Sequence, residues 1–92
     1  MKFILYSKPG CHLCEGLEVK LRSIQPTIAL EVRDITSRDD WWQRYQYEVP
    51  VLCQVRLTPT GSIETPLPRP SPRIPQGKLE QLIQKWLAEN NG

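Results

Sequence analysis

The first patterned segment of the chain is "KFILY" (2–6), mostly apolar with no polar alternation, as suits a strand buried on both faces. "SKPG" breaks it. From Leu13 the rhythm changes: Cys14, Leu17, Leu21 and Ile24 recur at spacings of three and four, which predicts one face of a helix ended by Pro26. Gly16 inside that helix costs up to ~1 kcal/mol against Ala, so something else must hold its first turn. "TIALEVRDI" alternates, with Ile28, Leu30 and Val32 to one side and Glu31 and Arg33 to the other, the mark of a half-buried strand. Ser37 followed by Asp40 resembles a capping box and opens a short helix over about 38–46, with Trp41 or Trp42 and Tyr45 on its inner face. "PVLCQVRL", "TPTGS" and "IETPL" read as strand, turn and strand, a β-hairpin. "PLPRPSPRIP" has five prolines in ten residues and predicts an extended connector. Leu79, Leu82, Ile83, Trp86 and Leu87 then mark the inner face of a closing helix, with Pro75 in its first turn.

The predicted order is β-α-β-α-β-β-α. A strand, helix and strand at the start imply a right-handed crossover and parallel pairing, and the hairpin supplies antiparallel strands. The expectation is an α/β three-layer sandwich around a four-stranded mixed sheet, with residues 1–92 as a single domain. A net charge of +2, spread along the chain, gives no case for nucleic acid or an anionic membrane surface as partner. The apolar run near the N-terminus covers only Phe3 to Tyr6, short of a secretory signal core, and no stretch approaches the ~20 apolar residues of a membrane span. A cytoplasmic monomer is the expectation.

There are three cysteines, an odd number that does not suit a secreted disulfide scaffold. Two of them form a C-x-x-C, Cys11 and Cys14, at the junction between the first strand and the first helix. A helix N-terminus favours an anion, through its free N–H groups and its dipole. An ordinary thiol is only ~3% thiolate at pH 7, and such positions raise that fraction strongly. Cys14, one turn on, points toward the buried side of the helix. The residues alone leave three readings: a redox pair, part of a zinc site with His12 and Cys53, or buried thiols without chemistry. Cys53 shares a strand face with Val51 and reads as core. Val49–Pro50, within "YEVPVL", is a candidate cis peptide bond, since such bonds are almost confined to X-Pro.

Taken together, strand, "GCHLC", helix, strand, "YEVPVL", hairpin and closing helix resemble the thioredoxin-like superfamily over nearly the whole chain, and within it a small glutaredoxin-like group. The resemblance implies a thiol-disulfide oxidoreductase acting in cell redox homeostasis, with Cys11 as attacking and Cys14 as resolving cysteine. It implies that the carbonyl and N–H of Val49, beside Pro50, form a ledge for the backbone of a bound peptide or glutathione. Glutathione is then a possible co-substrate rather than a bound cofactor, and the partner is a disulfide-containing protein or a glutathione mixed disulfide. No metal is expected. A non-catalytic thioredoxin-like binding or metal-binding module is the alternative. His12 and Leu13 replace the usual residues between the cysteines, and a protonated His12 would stabilise a neighbouring thiolate. Lys8 is placed to help the thiolate or a substrate carboxylate. The proline run stands where glutaredoxins usually carry a Gly-Gly and acidic residues that hold glutathione, leaving Arg69 or Arg73 to hold a carboxylate. "KFILYS" lacks the buried Asp usual in thioredoxins, which favours the glutaredoxin side.

Overall fold

A computed structural model describes residues 2–24, 27–71 and 73–89. Its elements are β1 (Lys2–Ser7), α1 (His12–Arg22), β2 (Ala29–Asp34), a 3-10 turn over Ile35–Ser37, α2 (Asp39–Tyr45), β3 (Val51–Thr58), β4 (Gly61–Pro66) and α3 (Gln76–Glu89). The order is the one the apolar pattern predicts. The strands form one sheet in the order β2-β1-β3-β4. β1 runs parallel to β2, with Phe3 level with Leu30, and antiparallel to β3, with Leu5 level with Leu52. β3 and β4 close the hairpin, with Val55 level with Glu64.

β1 is an inner strand covered on both faces, which is why its apolar residues do not alternate. Phe3 and Leu5 join Leu52 on one face, packed against Leu17 and Leu21 of α1 and Leu79, Ile83 and Trp86 of α3. Ile4 and Tyr6 join Cys53 on the other, packed against Ile35 and Tyr45. Helices α1 and α3 therefore cover one face and α2 the other, giving the expected three layers.

Several local expectations are corrected or made more specific. α1 stops at Arg22, where the Ser23 N–H reaches the Val19 and Lys20 carbonyls and its hydroxyl donates to Val19 O at 2.8 Å. Ile24 lies beyond the helix yet stays in the core. Pro26, the expected stop, and Pro72 of the proline run lie outside the described residues. The capping box does not form. The Ser37 hydroxyl donates to Asp34 O, Asp40 accepts from the Arg38 side chain, and Arg38 takes the cap position of α2 without a side-chain bond to the helix backbone. Asp34 wins that competition by capping the preceding 3-10 turn, accepting from Thr36 N at 2.9 Å. Trp41, rather than Trp42, turns inward and meets the Tyr6 ring edge-on at 5.7 Å. The hairpin turn is tighter than predicted: β4 begins at Gly61, whose φ of +142° suits glycine. Pro75 precedes α3, and its carbonyl accepts the Leu79 N–H at 3.0 Å.

On the α2 face a charged network ties three strands together. The Tyr6 hydroxyl donates to Glu64 Oε2 at 2.8 Å and accepts from Arg33 Nη1 at 2.9 Å. Arg33 also bonds Glu64 and Glu31. Burial and the Glu64 carboxylate push the Tyr6 phenol well above its usual range.

Candidate functional site

β1 ends at Ser7, and the chain reverses through Lys8, Pro9 and Gly10 before α1. Gly10 has φ +77°, a conformation that side chains with a Cβ rarely adopt. The Cys11 N–H closes this turn on Lys8 O at 3.3 Å. Cys11 is extended (φ −90°, ψ 103°) and occupies the N-cap of α1. Its Sγ accepts from the Cys14 N–H at 3.2 Å, taking the place of the oxygen that usually caps a helix. The Cys11 carbonyl accepts the Glu15 N–H at 3.0 Å, the first bond of the helix. The sulfur cap is the local support for the first turn that a helix carrying Gly16 requires.

Cys11 and Cys14 form a disulfide with their Cα atoms 5.3 Å apart, well inside the range such a bond needs. The two cysteines differ in exposure: Cys11 is half-buried, whereas Cys14 is 1% exposed. Between them, Leu13 is 50% exposed and the His12 side chain 96% exposed. His12 Nδ1 lies 3.8 Å from Glu15 Oε2, so its ionic neighbour is a carboxylate one turn along the helix.

Val49–Pro50 is a cis peptide bond. The register that pairs Tyr6 with Val51 puts Pro50 level with Ser7, at the sheet end from which the chain leaves for Cys11. Pro50 is buried and Val49 half-buried. The Val49 N–H donates to Tyr45 O at 3.1 Å, so the amide half of the expected ledge is satisfied inside the chain. Lys8 Nζ donates to Gln46 O at 3.3 Å, in the segment leading to Val49. Arg69 Nη1 donates to Glu48 O at 3.2 Å in the same segment. Arg73 lies exposed in the turn before α3, its amide bonded to Ser71 Oγ. Sequence reasoning passed over Tyr47, which sits between those two carbonyls and is 91% exposed. The signal available was an unpatterned aromatic two residues ahead of an X-Pro bond.

Cys53 lies on the α2 face, paired with Ile4, so the sheet separates it from α1. Burial and the nearby Glu64 push its thiol up to about 11. Among the described residues, no three His, Cys, Asp or Glu side chains gather in a way that could hold a metal ion. A groove of about 380 Å³ lined by Ile74, Lys78, Gln81, Leu82 and Lys85 lies away from the disulfide, where Lys20 near the C-terminal end of α1 bonds Ile74 O at 2.8 Å. No described helix is long and apolar enough to cross a membrane.

A C-x-x-C disulfide capping the helix after the first strand, with a cis-proline at the same end of a β2-β1-β3-β4 mixed sheet, defines a thioredoxin-like protein. The chain belongs to the glutaredoxin-like family: the family model described as Glutaredoxin-like domain (DUF836) matches residues 2–84. Among solved structures it is similar to thioredoxin 1 from Thermosipho africanus TCF52B, with a TM-score of 0.61, 20% identity and full coverage of both chains. It is also similar to the structural-genomics target protein XcR50 from X. campestris, with a TM-score of 0.52 and 24% identity over 90% of this chain and 96% of that one. At these identities the likeness is one of fold. No curated protein matches the chain.

Proposed function

We propose that the chain is a glutaredoxin-like thiol-disulfide oxidoreductase working through the Cys11–Cys14 couple. The observation that carries this reading is the asymmetry of the pair. Cys11 is the more exposed residue of the pair and the one whose sulfur receives the Cys14 N–H at the start of α1; Cys14 is buried. In the reduced protein the same N–H and the helix terminus face a Cys11 thiolate.

The Cys11 thiolate attacks one sulfur of a substrate disulfide. A Cys11–substrate bond forms as the substrate S–S bond breaks, and the departing thiolate takes a proton from water. Cys14, deprotonated to solvent, attacks Cys11 Sγ. The second substrate thiol leaves and the Cys11–Cys14 disulfide closes. Two electrons pass from the dithiol to the substrate. A thiol donor such as glutathione or a protein dithiol returns them, and the reducing cytoplasm is the compartment that supplies one. The substrate is a protein disulfide or a glutathione mixed disulfide, seated against the Val49 carbonyl.

The test is reduction of insulin disulfides with dithiothreitol as donor. Cys11→Ser abolishes turnover. Cys14→Ser stops the cycle at the mixed disulfide, which is trapped and visible by mass. Full turnover in Cys11→Ser refutes the assignment, as does a wild-type chain whose Cys11–Cys14 couple does not titrate reversibly against a glutathione or dithiothreitol redox buffer.

A further inference from the structure

The four residues between α2 and Pro50 are fastened more firmly than a surface loop requires. Two tight bonds close the turn, from the Glu48 N–H and the Val49 N–H to Tyr45 O at 2.9 and 3.1 Å. Two long cations then take the carbonyls that face outward. Lys8, from the loop after β1, donates to Gln46 O at 3.3 Å, and Arg69, from the segment after β4, donates to Glu48 O at 3.2 Å. In the sheet, β3 lies between β1 and β4, so the two side chains reach the segment ahead of β3 from its two flanks.

The route of the proline run explains how Arg69 arrives there. Beyond β4 the chain still pairs with β3, the Leu67 N–H donating to Leu52 O at 2.9 Å. Continued two residues, that register brings Arg69 level with Pro50. Pro68 and Pro70 flank it, fixing their own φ and biasing Arg69 to an extended backbone, and Pro70 is buried. The stretch from Leu67 to Pro70 is thereby a stiff strap that sets Arg69 beside the ledge.

Between the two clamped carbonyls stands Tyr47, 91% exposed. Its ring covers no core, so packing does not account for an aromatic there. Leu13, half-exposed, stands beside Cys11 on the helix side of the disulfide. We propose that Lys8 and Arg69 are positioning residues that clamp the Gln46–Val49 segment, and that Tyr47, held out by that clamp, selects polypeptide disulfides over the disulfides of small thiols. This rests on the oxidoreductase reading and narrows its substrate class. A small mixed disulfide reaches Cys11 and the Val49 carbonyl without touching Tyr47. A polypeptide continues past the ledge and meets the ring, whose fixed backbone lowers the ordering cost of that contact.

The experiment compares kcat/KM for insulin with that for a small disulfide, bis(2-hydroxyethyl) disulfide, in wild type and in Tyr47→Ser, Lys8→Met, Arg69→Met and Arg69→Lys. In Tyr47→Ser the insulin-to-small-disulfide ratio falls about tenfold, the loss lying in KM rather than kcat, as for truncation of an exposed aromatic anchor. Lys8→Met and Arg69→Met lower the same ratio by about threefold each through a looser segment, and Arg69→Lys recovers part of it. An unchanged ratio in Tyr47→Ser, or equal losses on both substrates in the Lys8 and Arg69 variants, overturns this inference while leaving the oxidoreductase in place. A wild-type chain inert toward both disulfides overturns the function and this inference with it.

Discussion

The sulfur cap of α1 carries a quantitative consequence for the reduced protein. In Cys14→Ser the disulfide cannot form, yet the amide at position 14 remains to donate to the Cys11 sulfur, as it does here at 3.2 Å. A hydrogen bond to a charged group contributes about 1.5–3 kcal/mol, and the helix terminus adds ~0.3–1 kcal/mol. Cys11 is half-buried, so solvent screens part of this, and about 2 kcal/mol is a reasonable net figure for favouring thiolate over thiol. The thiolate therefore appears at lower pH than in free cysteine. Nucleophilicity falls as basicity falls, with a slope of about 0.45, which offsets part of the gain in thiolate, so a single-pH rate is a poor test and the profile is a good one. Iodoacetamide alkylation of Cys14→Ser, followed by mass from pH 5 to 10, is expected to reach its plateau at lower pH than free cysteine. Cys11→Ser, with its two remaining thiols enclosed, alkylates far more slowly at every pH. A Cys14→Ser profile that overlays free cysteine, or a Cys11→Ser variant that reacts as fast, refutes the role given to the helix start.

Other outcomes follow from the core and the charged network. Cys53 has its thiol raised to about 11 by burial. A folded value above the unfolded one gives stability that is complete below pH 9 and lost as pH rises toward 11, so urea midpoints fall across that window and Cys53→Ala flattens the fall. Leu52→Ala empties a fully buried site between β3 and the α1–α3 layer and costs about 3 kcal/mol in urea unfolding; a loss under about 1 kcal/mol contradicts the packing described. Arg33→Met leaves Glu31, Glu64 and Tyr6 without their shared donor and costs about 1–2 kcal/mol, while the Cys11–Cys14 potential stays at the wild-type value.

The parts of the fold that show in the sequence are those fixed by a residue's immediate neighbours. "KFILY" reads as a doubly covered strand because Phe3 to Tyr6 form an unbroken apolar run, and β1 does lie inside the sheet. The spacing of Leu17 and Leu21 marks one face of α1 before any partner is known. Prediction falters where two neighbours compete for one group. Ser37 and Asp40 have the spacing of a capping box, but Asp34 caps first and draws the Ser37 hydroxyl to its own carbonyl. The site divides along the same line. The Cys11–Cys14 spacing at a helix start is a local signal, and its geometry follows from one helical turn.

Lys8 shows why the rest of the site does not read out from sequence. Three residues from Cys11, it invites a role at the thiolate, but its bond goes to a carbonyl 38 positions away, because the turn through Pro9 and Gly10 sends it toward the approach to Pro50. Arg69 reaches the same segment from 21 positions downstream. Backbone carbonyls have no sequence signature, so neither partner is visible without the sheet order that brings three loops together. The amide of Val49 is spent for the same kind of reason: a tight turn off α2 claims it through Tyr45 O. The cysteine pair is thus written in two residues one helical turn apart, whereas the surface proposed to meet a substrate is assembled from the segments that follow β1, α2 and β4. Substitutions that change what this protein accepts are therefore expected at Lys8, Tyr47 and Arg69, far apart in the chain, before they are expected between the cysteines.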